Sequence, residues 1–112
     1  MTPVVESVRS AVALLVAGEW VALERLTSGR RLSAKELERA VIEYGRTLSP
    51  LPESAFDELD IIEVDSGLVR TLSVRVPLWT LEEGRSDLEL DLTLKELIDG
   101  IYELEIDDLH VA

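Results

Sequence analysis

Apolar residues recur over the first 45 positions at steps of three and four, and from Leu59 onward at every second position. The first spacing belongs to helices with one buried face, the second to strands buried on one side, so the pattern divides the chain into a helical half and a sheet half. Val4, Val5, Val8, Val12, Leu15 and Val16 share one face of a helix over 3–17, with Thr2 as N-cap, Pro3 at the first helical position and Gly18 as its stop. Trp20, Leu23 and Leu26 do the same over 19–27, which Ser28 and Gly29 end. The third helix, 33–45, carries the clearest local signal. Ser33 and Glu36 have capping-box spacing, Leu32 and Leu37 stand as a hydrophobic staple, and Leu37, Ala40, Val41 and Tyr44 face the core. Gly45, Pro50 and Pro52 close this half, and 49–54 reads as a crossing loop.

The alternating half predicts four strands, at about 59–65, 68–80, 86–97 and 101–111. Leu72, Val74, Val76 and Leu78 form one inward row and Leu88, Leu90, Leu92 and Leu94 the next. Pairing Leu78 with Leu88 and Val76 with Leu90 leaves Glu82-Glu83-Gly84 as the loop. Pairing Leu94 with Leu104 and Leu92 with Ile106 leaves Ile98-Asp99-Gly100. Both place glycine where a hairpin needs a left-handed residue. The first strand is expected to set Glu63 opposite Arg70 across a Ser66-Gly67 turn, leaving Pro77 beyond its reach. In the last strand Tyr102, Leu104 and Ile106 share a parity that Leu109 and Val111 break. One extra residue near Asp107-Asp108 restores the pattern, which predicts a β-bulge there; without it Asp108 and His110 point inward.

Charge is distributed as unevenly as period. Residues 1–50 carry seven Lys/Arg against six Asp/Glu, and residues 51–112 carry four against seventeen, so all of the net charge of -12 arises in the sheet half. Nucleic acid and anionic membrane are repelled by such a half, whereas basic proteins and cations are favoured. With 112 residues, 46% of them hydrophobic, the chain is expected to be a single domain over 1–112. No cysteine is present, which excludes disulfides and thiolate metal sites and fits a cytoplasmic protein. The apolar run Ala11 to Ala17 is far shorter than a membrane span, and Glu6 and Arg9 precede it in place of a basic leader.

Three helices followed by a curved four-stranded antiparallel meander make an α+β architecture with helices packed on one face of the sheet. That order, with a bulged last strand, resembles the cone-shaped fold of nuclear transport factor 2-like proteins, which include ketosteroid isomerases, dehydratases and non-enzymatic binders. The segments Gly29-Arg30-Arg31-Leu32-Ser33, Glu43-Tyr44-Gly45-Arg46-Thr47-Leu48, Leu78-Trp79-Thr80, Glu83-Gly84-Arg85-Ser86-Asp87-Leu88 and Ile106-Asp107-Asp108-Leu109-His110-Val111 resemble a bacterial domain family without an assigned function. The resemblance implies a fold and a place to search, not a reaction.

In enzymes of the cone fold an acid or base lies between sheet and helices. The candidates here are Asp108 and His110, the carboxylate fixing the imidazole's tautomer, with Trp20, Tyr44 and Tyr102 lining a ligand pocket. No oxyanion-binding pair accompanies them, and the inward rows of Leu and Val predict a filled interior. Zinc and iron sites draw on several His or Cys where this chain has one His, and Asp57-Glu58-Leu59-Asp60 lacks the glycine and terminal glutamate of a calcium loop. No cofactor or metal is expected. Phosphate-binding glycine motifs and nucleophile turns are missing as well. The outward positions Glu89, Asp91, Glu103, Glu105 and Asp107, with Asp91 expected opposite Asp107 and Arg75 as counter-charge, form an acidic face suited to a basic protein partner. Trp79, expected beside Pro77 on that face, marks a homodimer contact. The sequence therefore favours a binding module over an enzyme.

Overall fold

The computed structural model describes residues 2–28, 31–64 and 67–112. Among these, four helices, α1 (Thr2–Val16), α2 (Trp20–Leu26), α3 (Ala34–Tyr44) and α4 (Glu53–Asp57), and five strands, β1 (Leu48–Ser49), β2 (Asp60–Val64), β3 (Thr71–Thr80), β4 (Gly84–Ile98) and β5 (Ile101–Val111), follow in the order α1-α2-α3-β1-α4-β2-β3-β4-β5. The class is α+β. β3, β4 and β5 form an antiparallel meander, and β1 and β2 share the outer edge of β3, β1 at Trp79 and Thr80, β2 along Thr71 to Arg75. Pro77 falls in the gap between those two edge segments, where its missing N–H costs no ladder bond.

The third helix begins as its residues dictate. Ser33 Oγ accepts from the Glu36 N–H at 3.2 Å and Glu36 Oε1 accepts from the Ser33 N–H at 3.0 Å, while Gly45 takes φ 75° at the C-cap. The Thr2 side chain, Gly29 and Ser66, which the sequence assigns to a cap and two turns, lie outside the described residues. The core is the two aliphatic rows of β3 and β4, Leu72 to Leu78 and Leu88 to Leu94, closed by Val4, Val8, Ala11 and Leu15 of α1, Leu23 of α2 and Leu37 of α3. These side chains form one buried cluster between the layers.

Several expectations need correction. The sheet has five strands where four were expected, and the crossing loop contains both β1 and α4. Elements of two and five residues are too short to show a period. Glu63 stands opposite Leu72, two residues from the expected register, although the Arg70 Nε still reaches Glu63 Oε1 at 2.8 Å. The second hairpin turns on Asp99 and Gly100 with Ile98 opposite Ile101, the register slipping at Leu97.

The first hairpin departs further. Val76 does face Leu90, but the register shifts between Pro77 and Trp79, so that Leu78 does not pair with Leu88 and the turn is Leu81-Glu82-Glu83, with Gly84 at φ 75° opening β4. Ser86 explains how the sheet tolerates the shift. Its buried Oγ donates to the Leu78 carbonyl at 2.8 Å and accepts from the Leu88 N–H at 3.2 Å, standing in for the ladder bonds the irregularity removes. Removing both partners' company inside the sheet is costly. Ser86→Ala should lower the unfolding free energy by about 1–3 kcal/mol, against about 1 kcal/mol for the exposed cap variant Ser33→Ala. Urea unfolding of the two variants checks this; a smaller loss at Ser86 than at Ser33 would show that the irregularity closes without the hydroxyl.

Candidate functional site

The face of β4 and β5 turned away from the helices is built by alternation. Leu88, Leu90, Leu92 and Leu94 point into the core, so Glu89, Asp91, Thr93 and Lys95 point out, and their β5 neighbours are His110, Asp108, Glu105 and Glu103 respectively. The register slips between Asp91 and Leu92, leaving Asp107 as the extra residue of a β-bulge where the sequence called for one. Leu109 is thereby buried at 6% exposure, whereas Val111, the last residue of the strand, stays exposed, so the bulge restores the first of the two residues expected in the core and not the second. Asp91 therefore faces Asp108, not Asp107 as expected.

Within this face the charges are organised. His110 Nε2 lies 2.9 Å from Asp91 Oδ2 and 3.6 Å from Glu89 Oε1, and its Nδ1 lies 3.3 Å from the Val111 carbonyl. Glu105, buried, is held by Lys95 Nζ at 3.3 Å and Arg31 Nε at 3.8 Å. Thr93 Oγ1 donates to Asp107 Oδ2 at 2.6 Å. Asp107 Oδ1 lies 3.2 Å from Arg31 Nε yet, like Asp91 Oδ1, is buried and accepts no hydrogen bond among the described residues. Acceptors outnumber donors here, and a buried carboxylate oxygen without a partner is costly.

The expected pair of Asp108 and His110 is not the one that forms. Asp108 is exposed and its Oδ1 accepts from the Leu109 N–H at 2.9 Å, while Asp91 across the strand takes the imidazole. The three aromatic pocket candidates serve separate junctions. The Tyr44 hydroxyl donates to Glu83 Oε2 at 2.9 Å and accepts from the Asp87 N–H at 3.2 Å, pinning α3 to the β3–β4 hairpin. Trp20 packs on the core beside Gly18, and Tyr102 borders a cleft of about 200 Å³ with Ser7, Ser10 and Leu26. Trp79 is half-buried and packed against the core, with Ser49 of β1 as its strand neighbour, which accounts for its reduced exposure. Glu103 is half-buried opposite Lys95.

Sequence reasoning missed Arg31, Thr93 and Lys95 as partners of the acids. The outward parity of Thr93 and Lys95 was available as a signal; Arg31, in the α2–α3 connection, offered none. It missed too an apolar groove of about 290 Å³ between α1 and α4, lined by Val12, Val16, Leu51 and Phe56, where Arg9 lies 4.3 Å over the Phe56 ring and bonds Glu53 at 2.6 Å.

A family model described as a domain of unknown function (DUF7668) matches residues 12–112. No curated protein and no solved structure matches the chain.

The hydrogen bond that Asp91 accepts from the imidazole raises the pKa of His110 above its ordinary value of 6.5, against a smaller opposing cost of burial and with help from the Val111 carbonyl and the charges of Asp91 and Asp108. A raised folded value means that the protonated imidazole contributes stability fully below pH 6.5 and loses that contribution as pH rises through the folded pKa. The single imidazole resonance in an NMR titration should therefore report a value above 6.5 in the wild type and a lower one in Asp91→Asn. Unchanged titration in the variant would mean that Asp91 is not the residue holding the proton.

Proposed function

The chain belongs to the DUF7668 family of domains of unknown function, and from that premise we propose that it is a small interaction module whose acidic sheet face engages a basic protein partner. One observation carries the reading: β4 and β5 set Asp91 directly opposite Asp108, with Glu89, Glu105 and Asp107 on neighbouring positions of the same two strands. Like charges opposed across strands destabilise a sheet, so their presence on one rigid face is better accounted for by a cationic partner than by folding. The near-neutral helical half would orient the encounter, because the attracting field comes from one side only. Partner contacts are assigned to Glu89, Asp91, Glu103, Glu105 and Asp107, of which Glu105 and Asp107 would exchange part of their pairing with Lys95 and Arg31.

The finer reading of the fold is the cone of the nuclear transport factor 2-like proteins, supported by helices preceding a meander whose last strand is bulged. The buried cluster between sheet and helices is rich in Leu and Val, which favours a surface over a pocket as the working part. The module is placed in the bacterial cytoplasm, in keeping with its lack of cysteine, and the accessible part of Trp79 is assigned to a homodimer contact. No described helix is long and apolar enough to cross a membrane.

Capture on the tagged domain from a lysate of the source cells tests the reading. A basic protein should be retained in near-stoichiometric amount at roughly 0.05 M salt and released at roughly 0.5 M, because surface charge pairs are screened over a Debye length. Asp108→Lys, which reverses a charge at an exposed position beside the assigned contacts, should weaken that retention, and the purified partner should rebind the wild type at one to one. Retention that ignores both salt and the variant overturns the proposal.

A further inference from the structure

Glu89, Asp91 and His110 bring three ligand atoms within 4.8 Å of one another. We propose that these residues form a binding site for a divalent transition-metal ion, with the imidazole Nε2 and one oxygen of each carboxylate as the protein ligands and the remaining positions open to water. The inference does not rest on the partner-binding reading.

Strand geometry makes the arrangement. Residues two apart on β4 place Glu89 and Asp91 on the same face, and the β5 register sets His110 directly opposite Glu89, so two adjacent strands supply all three donors without a loop. Such a site is fixed by backbone hydrogen bonds before any ion arrives, which limits the ordering cost of binding.

The two separations from the imidazole are close to those around one ion. Metal–ligand bonds of about 2.0–2.2 Å put neighbouring ligand atoms roughly 3–3.4 Å apart in octahedral or tetrahedral geometry. His110 Nε2 stands 2.9 Å from Asp91 Oδ2 and 3.6 Å from Glu89 Oε1. In the protonated ring Nε2–H donates to Asp91 Oδ2 at 2.9 Å. In the neutral tautomer whose Nδ1–H donates to the Val111 carbonyl at 3.3 Å, the Nε2 lone pair faces the two carboxylates, and a bound cation takes the place of the proton that otherwise joins Nε2 to Asp91.

A second observation comes from Asp91 itself. Its Oδ2 is the oxygen shared with His110, while Oδ1 is buried and accepts no hydrogen bond among the described residues. An ion bound by that carboxylate in a bidentate or bridging manner engages the oxygen that the protein leaves without a donor. The surrounding charge acts in the same direction: Asp108 faces Asp91 from β5, and the cations of the face, Lys95 and Arg31, are spent on Glu105 and Asp107. Arg75, the β3 neighbour of Asp91, is exposed and makes no ion pair with it among the described residues. One imidazole with two carboxylates suits zinc and its transition-metal neighbours; the all-oxygen ions calcium and magnesium gain nothing from the ring.

Zinc chloride titrated into the metal-free full chain, followed by calorimetry, tests the site. One equivalent should bind saturably, with affinity reduced at least ~10-fold in His110→Gln and in Asp91→Asn, and unchanged in Asp99→Asn on the distant hairpin. Magnesium should bind at least ~10-fold more weakly than zinc. Far-UV circular dichroism identifies any variant that fails to fold, and the wild type supplies an independent readout. Its single histidine gives one imidazole signal, which one equivalent of zinc should shift or broaden to completion. Absence of saturable binding, equal affinity in His110→Gln, equal affinity for magnesium, or an imidazole signal untouched by zinc each overturns the proposal; the last three would mean that the acids collect cations as a diffuse surface.

Discussion

Everything on the sheet face depends on the closure of two aliphatic rows against the helices. Leu72, Val74, Val76 and Leu78 and their neighbours Leu88, Leu90, Leu92 and Leu94 are essentially inaccessible, and each fully buried aliphatic side chain contributes about 1.5–3 kcal/mol relative to exposure. A one-residue slip in either strand would turn the entire row to solvent, so the register is held far more strongly than any surface charge could shift it. The outward residues have no freedom to rearrange by sliding. Whatever charges the sequence places between the leucines must face one another across the strands, and the core absorbs the resulting repulsion.

The bulge at Asp107 follows from the same constraint and decides the chemistry of the face. Ile106 and Leu109 both belong to the buried layer although three positions separate them, and only an extra residue lets both reach it. Inserting that residue moves His110 opposite Glu89 and Asp108 opposite Asp91. Apolar burial thus selects which carboxylate the imidazole meets. Without the extra residue Asp107 would oppose Asp91, and the histidine would turn from the outer face toward the leucines.

What was legible in the chain were features with local or periodic causes. Ser33 and Glu36 specify their helix start between themselves, and the leucine rows specify the pairings of Val76 with Leu90 and Leu94 with Leu104 because each is a sum over several positions. The irregularity at Leu78 was hidden: it leaves both Ser86 and Leu88 buried, and a serine at a core position carries no hydrophobic signal even when its hydroxyl replaces ladder bonds. α4 and β1 were hidden because five and two residues cannot display a period. At the site, parity identified Glu89, Asp91, Glu105 and Asp107, but which of them would meet His110 depended on a bulge placed only to within two residues. Arg31 reaches the acids from a connection whose geometry no local pattern encodes.

The asymmetry of charge and the rigidity of the sheet have a joint consequence for recognition. A flexible acidic tail can lower its own repulsion by spreading, so it attracts cations broadly and weakly. These carboxylates are fixed at the pitch of the strands and cannot spread, so relief comes from a positive charge that fits the spacing. Lys95 and Arg31 already supply it for Glu105 and Asp107, whereas among the described residues Glu89 and Asp91 pair with an imidazole, a group that is a cation for part of the accessible pH range. The end of the face near His110 is therefore where the demand for positive charge changes with conditions, and the end near Lys95 is where it is permanently met.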